Sequence, residues 1–165
     1  MKLIECLSFS QFKELIVILD EQLTEIENEI FQSKDPDSDG LLDRAEYFVG
    51  VGFVAAQQVL VETTTFYRLD RDKAYKLGIQ HKSGISYIKA INSAANYWKH
   101  EAEWLKDLEK LNSSNLKTMN NVGTIADTSY YQLSNLLFAL SNDEGIRLRY
   151  LVPMIEEWFS VLKSS

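Results

Sequence analysis

Ile88-Lys89-Ala90-Ile91-Asn92-Ser93-Ala94-Ala95-Asn96-Tyr97-Trp98-Lys99-His100-Glu101-Ala102-Glu103-Trp104-Leu105 decides the fold class of this chain. It lies in a segment, Ser83 to about Asn112, that has no proline and no glycine after Gly84. Ile88, Ile91, Ala95, Trp98, Ala102 and Leu105 recur at alternating steps of three and four. That is the pattern of a helix with one apolar stripe, so a long helix is expected from Ser83 to about Leu111. At about 100° per residue, Lys89, Asn96, His100 and Glu103 fall together, away from the stripe. Asn96 and His100 are one turn apart, within side-chain reach. This polar cluster is expected to face solvent or a partner surface.

Working outward, the same periodicity recurs. Phe9, Phe12, Leu15, Ile16, Leu19, Leu23, Ile26 and Ile30 predict a first helix to about Gln32, opened by a capping box at Ser8-Phe9-Ser10-Gln11. Its outer face carries Glu14, Glu21 and Glu25. After the break at 33–40, Leu42, Ala45, Val49, Gly52, Phe53, Ala56 and Leu60 mark the core side of a second helix. Gly50, Gly52, Ala55 and Ala56 make that helix thin. Close approach of Ala90, Ala94 and Ala95 is the natural compensation for the glycines, each of which costs about 1 kcal/mol relative to alanine.

Residues 66–82 carry a charged patch with Arg71, and His81 lies just before the expected cap at Ser83. Asn112 to Gly123, rich in polar residues, is expected to be a loop. Asp127-Thr128-Ser129 is expected to start a fourth helix through Leu140. Ser141-Asn142-Asp143-Glu144 is a second capping-box pattern, expected to open a fifth helix that breaks or kinks at Pro153. Arg147 and Arg149 are expected to be surface residues, with a contribution to an anion site as the alternative. The fold class expected is all-α: a single domain over residues 1–165, an up-and-down bundle of five to six helices.

Composition fits that expectation. The chain has 165 residues, long enough for a sizeable core. Hydrophobic residues make up 45% and aromatics 12%, which excludes a disordered chain. Net charge is −7, which argues against broad, phosphate-driven nucleic-acid binding but leaves room for a local RNA site. The single cysteine, Cys6, forms no intramolecular disulfide and is expected to be a small buried apolar residue. Residues 1–7 are too short and too soon polar for a signal peptide, and no apolar run spans a membrane. A soluble, cytoplasmic protein is expected.

Ala95-Asn96-Tyr97-Trp98-Lys99-His100, on a late helix of a helical protein, resembles the motif of the HEPN superfamily (higher eukaryotes and prokaryotes nucleotide-binding domains). That motif is an arginine, often followed by asparagine, then a few residues and a histidine. The resemblance spans roughly residues 41–110. It implies a homodimer with the motif in its cleft, and a metal-independent ribonuclease or RNA-binding protein of a toxin–antitoxin or phage-defence system. Asn96 takes the asparagine and His100 the histidine; the arginine position falls on Ala95. The implied catalytic residues are Asn96, Lys99 and His100. His100 would move a proton near neutral pH, with Asn96 and Lys99 on the phosphate, and no cofactor is required. Lysine lacks arginine's fork geometry. The same residues also fit a solvated helix face.

Asp35-Pro36-Asp37-Ser38-Asp39-Gly40-Leu41-Leu42-Asp43-Arg44-Ala45-Glu46 resembles an EF-hand calcium loop. Calcium takes oxygen ligands at about 2.3–2.6 Å. Asp35, Asp37, Asp39 and Asp43 would supply carboxylates, Leu41 its carbonyl and Glu46 a bidentate carboxylate, with Gly40 in the sharp turn. The alternative is an acidic loop at a helix start. Three functions stay open: a HEPN-like ribonuclease or RNA-binding homodimer, a non-enzymatic helical interaction module with a structural Ca2+ loop, and an acidic protein suited to a basic protein partner.

Overall fold

The structure is a computed structural model and describes residues 7–142 and 144–164. The expectations for Cys6 and the other residues of 1–6 lie outside it. Among the described residues there are seven α-helices and no strand: α1 (Leu7–Gln32), α2 (Leu41–Phe66), α3 (Arg71–Ala74), α4 (Tyr87–Trp104), α5 (Ser113–Ala126), α6 (Gln132–Leu140) and α7 (Leu151–Ser164). Short 3-10 turns lie at Leu108–Lys110 and Leu148–Tyr150. The all-α bundle is as expected; its helix count is one above the expected range. No helix among the described residues is long and apolar enough to cross a membrane.

The centre of the bundle is α2, which packs on α1, α4 and α6. Its thin middle receives side chains from two directions. A Cβ on Gly50 would stand 2.0 Å from the Trp98 ring, and one on Gly52 would stand 2.3 Å from Leu148. Ala56, Ala90, Ala94 and Ala95 are fully buried, as the small-residue pattern predicted. One apolar cluster runs from Phe9 and Phe12 through Phe53 and Ile91 to Trp158.

Several boundaries differ from the expectations. The cap of α4 is Ser86, whose hydroxyl accepts the Lys89 N–H at 3.1 Å, not Ser83. Ser86 also donates to the Tyr75 carbonyl, which ties the helix start to the segment before it. Towards the end of α4 the buried face passes through Tyr97 and Trp104, while Ala102 and Leu105 are exposed. A straight helix drifts about 20° per heptad away from a strict seven-residue repeat, and the larger aromatic faces take the buried positions.

Residues 113–126 form α5, which takes in most of the expected loop from Asn112 to Gly123. Asn112 caps it by accepting the Asn115 N–H at 2.9 Å. Met119, Val122, Ile125 and Ala126 then bury one face against α4 and α6, and packing overrides the weak propensity of the intervening Asn, Ser and Thr. Asp127 is the left-handed end of α5, so α6 starts only at Gln132.

Ser141 closes α6 instead of opening a helix. Its hydroxyl donates to the Phe138 carbonyl at 2.8 Å and accepts the Gly145 N–H. The next α-helix begins at Leu151, and Pro153 sits in its first turn, where no helical N–H bond is lost. The capping box at Ser8 is likewise displaced, because α1 already includes Leu7.

Candidate functional site

The thin stretch of α2 lets α4 lie close, and one polar side chain bridges the two helices. Gln57 falls between Phe53 and Leu60 on the core side of α2 and is buried. Its Nε2 donates to Asn92 Oδ1 at 2.8 Å and to Asn96 Oδ1 at 2.9 Å. Its Oε1 accepts from Lys99 Nζ at 2.7 Å. Burial holds the Lys99 ammonium below its ordinary pKa. Asn96 and Lys99 are therefore brought together by Gln57, a residue the sequence reading did not single out. Its signal was available: a glutamine in register with the buried stripe of α2.

His100 stands apart from this network. Its ring stacks on Trp104 with centroids 5.7 Å apart and planes 21° apart. Its Nδ1 lies 3.3 Å from Glu103 Oε2. Among the described residues no hydrogen bond joins it to Asn96 or Lys99, so the expected one-turn pairing is not made. Ala95, at the motif's arginine position, is fully buried in the core, where an arginine head would have no water. Arg71 does not replace it: its guanidinium donates to Thr65 Oγ1 at 3.2 Å.

Tyr97 flanks the site, donating to Glu101 Oε1 at 3.0 Å. Burial and the Glu101 charge raise its pKa well above the ordinary value. His81 closes the turn before α4, with Nδ1 2.8 Å from Ser83 Oγ and accepting the Ser83 N–H. Burial and the neighbouring Lys82 lower its pKa. Arg147 pairs with Glu27, and Arg149 Nε lies 3.6 Å from Asp20 while its side chain is 66% exposed.

The acidic loop has the expected left-handed Gly40 (φ 69°), but its proposed ligands point apart. Asp35 accepts from the Ser38 hydroxyl at 2.7 Å, and this bond first of all lowers its pKa. Asp39 accepts from Ser33 at 2.6 Å, and Asp37 accepts from the Tyr131 hydroxyl. Leu41 is the first residue of α2, so its carbonyl points along the helix axis. Asp43 is exposed in the first turn. Glu46 turns to α6, accepting the Leu133 N–H at 2.7 Å and the Ser134 N–H at 2.9 Å. Among the described residues no three His, Cys, Asp or Glu gather as a metal-binding group. The chain matches no family model, no curated protein and no solved structure.

Proposed function

We propose that this chain is a non-enzymatic helical interaction module, a HEPN-like bundle in which the motif face holds α2 to α4 instead of holding RNA. The observation that carries this reading is the Gln57 bridge: it engages the part-buried Asn96 and the amine of the exposed Lys99 within the chain, so an RNA phosphate would have to compete with it. The buried Ala95 supports it, because the motif's guanidinium has no equivalent on the surface. A large exposed aromatic, Phe31, provides surface for a partner.

The ribonuclease reading retains one supporting observation, a His100 side chain that is 47% exposed. The discriminating experiment incubates a pool of cellular RNAs in EDTA with the wild type and with His100→Ala. Neither protein is expected to cut. Cleavage by the wild type that disappears in His100→Ala overturns the non-enzymatic reading.

A further inference from the structure

Two clefts of about 210 and 360 Å³ adjoin where the turn before α4 meets the end of α6. Tyr87, the first residue of α4, and Asn142, just past α6, line both. The pair is within the usual size of a small-molecule site. Tyr87 is more than nine-tenths buried, yet its hydroxyl has no hydrogen-bond partner among the described residues. That hydroxyl is not sealed in the core, as the Tyr75 hydroxyl is, so it opens on the cleft that the residue lines. Buried tyrosine hydroxyls normally find a partner, and here the open place for one is the cleft.

The neighbouring side chains decide the ligand. His81 lines the larger cleft. Its Nδ1 accepts the Ser83 N–H and lies 2.8 Å from Ser83 Oγ. The neutral ring then carries its proton on Nε2, which has no partner among the described residues. Lys82 lines the same cleft, is exposed and is in no ion pair among the described residues. No carboxylate among the described residues lines it. A phenol, an imidazole N–H and an ammonium are a donor set for one carboxylate. The smaller cleft differs, with Leu140, Pro153 and Met154 as apolar walls. About 150 Å³ of apolar space holds a benzene ring, so it has room for a body of similar size. Glu144 lines this cleft too and repels a second anionic group there.

The donors are held in place before any ligand arrives. The Tyr87 N–H donates to the Ile79 carbonyl at 2.9 Å, and the His81 N–H donates to the Ile85 carbonyl at 2.9 Å. The Ile79 N–H donates to Glu157 of α7 at 3.2 Å, which pins the turn to the bundle. Such preorganisation lowers the cost of binding.

We propose that the paired clefts bind a small monocarboxylate with an apolar body. Its carboxylate is held by the Tyr87 hydroxyl, His81 Nε2–H and Lys82, and its body lies against Leu140 and Met154. The site shares no residue with the Gln57 bridge, so its failure and the failure of the motif-face reading are distinguishable.

The test titrates hexanoate into the wild type, Tyr87→Phe, Lys82→Glu and His100→Ala, following backbone amides by NMR. Hexanoate is expected to bind the wild type in the millimolar range and to move the amides of residues 79–87 and 139–142. Tyr87→Phe removes only the unpartnered hydroxyl, so the fold is kept and binding is expected to weaken by at least about fivefold. Lys82→Glu changes an exposed side chain and is expected to weaken it by at least about tenfold. His100→Ala should bind as the wild type does. Hexanamide, with the body but no charge, and acetate, with the charge but no body, should each bind at least about tenfold more weakly. No saturable shift by about 50 mM hexanoate overturns the proposal. So does binding indifferent to Tyr87→Phe or to Lys82→Glu, equal binding of hexanamide or acetate, or shifts that map to the carboxy-terminal end of α1 instead.

Discussion

The Ser134 hydroxyl of α6 donates to the Glu46 carboxylate of α2 at 2.6 Å. The same carboxylate accepts the backbone N–H groups of Leu133 and Ser134. The start of α6 has no side-chain cap of its own, so Glu46 supplies one from a neighbouring helix, where the helix dipole favours negative charge. Asp20 of α1 does the same for Leu148 and Arg149 at the turn that leads into α7, with bonds of 2.7 and 3.1 Å. Carboxylates on the two longest helices thus hold the starts of the later, shorter segments.

Removing that cap should be costly. Glu46→Ala strands two N–H groups and a hydroxyl, and is expected to lower stability by about 2–3 kcal/mol. Glu46→Gln should retain part of it, since an amide oxygen still accepts. Urea denaturation of the three proteins checks this. A Glu46→Ala variant as stable as the wild type would show that the cap does not support α6.

The same geometry bears on calcium. A calcium ion in the acidic loop would need both Glu46 oxygens, which already serve α6, and the Leu41 carbonyl, which lies within α2. Millimolar calcium and chelator are therefore both expected to leave the melting temperature unchanged. A rise in melting temperature with calcium, lost in Glu46→Gln, would restore the EF-hand reading.

The loop shows where sequence and structure part. Gly40 and the first turn of α2 were legible, because a left-handed turn ahead of an apolar period is a local matter. Where Glu46 and Asp37 point was not, because their partners Ser134 and Tyr131 lie 88 and 94 residues along the chain. On α4 the buried positions from Ile88 to Ala95 followed from spacing. The far end did not, since seven-residue spacing favours Leu105 whereas the bundle buries Trp104. Asn96 was expected to face away from the core contact of α4, but its side chain turns to Gln57 of α2 in the same chain.

Alkaline pH reports on the Tyr131–Asp37 bond. The Asp37 carboxylate, as acceptor of the Tyr131 hydroxyl, pushes the Tyr131 pKa up to about 12, with desolvation and the charges of Asp37, Asp43 and Glu46 adding to it. An unfolded tyrosine titrates near pH 10, about its reference value. The folded pKa is raised, so this contribution to stability is complete below about pH 10 and is lost as pH rises towards about 12. The melting temperature is expected to fall across that window by less in Tyr131→Phe than in the wild type. Tyrosinate absorbance of the two folded proteins should differ by one late-titrating group.

Gln57→Leu tests the bridge between α2 and α4. It keeps the apolar bulk of the side chain but leaves the Asn92 and Asn96 oxygens without their donor, at an expected cost of about 1–3 kcal/mol. The dependence of stability on urea should keep its slope while the midpoint falls. His100→Ala, which removes a half-exposed ring outside the network, should change stability by less than about 1 kcal/mol. A larger loss for His100→Ala than for Gln57→Leu would place the structural weight of this face on the histidine instead.

Gly50 and Trp98 offer the sharpest test of how α4 seats on α2. Glycine within a helix is about 1 kcal/mol worse than alanine, so Gly50→Ala should stabilise α2 wherever space allows. Space does not allow it here: the new Cβ would stand 2.0 Å from Trp98 Cδ1 and 2.5 Å from Cγ. Cγ is the root of the ring, so a swing of its far edge gives no relief. Either α4 moves away, straining the Gln57 bonds and the packing of Ala90, Ala94 and Ala95, or the ring leaves and loses its edge contact with Tyr47 at 5.4 Å. Overpacking of this kind costs about 1–3 kcal/mol, so Gly50→Ala is expected to be destabilising overall. In a Trp98→Ala background the obstacle is gone, and the same substitution should become stabilising by up to about 1 kcal/mol. The reversal of sign in this double-mutant cycle is the quantity to measure: helix propensity acts in both backgrounds, whereas the clash acts only where the indole is present.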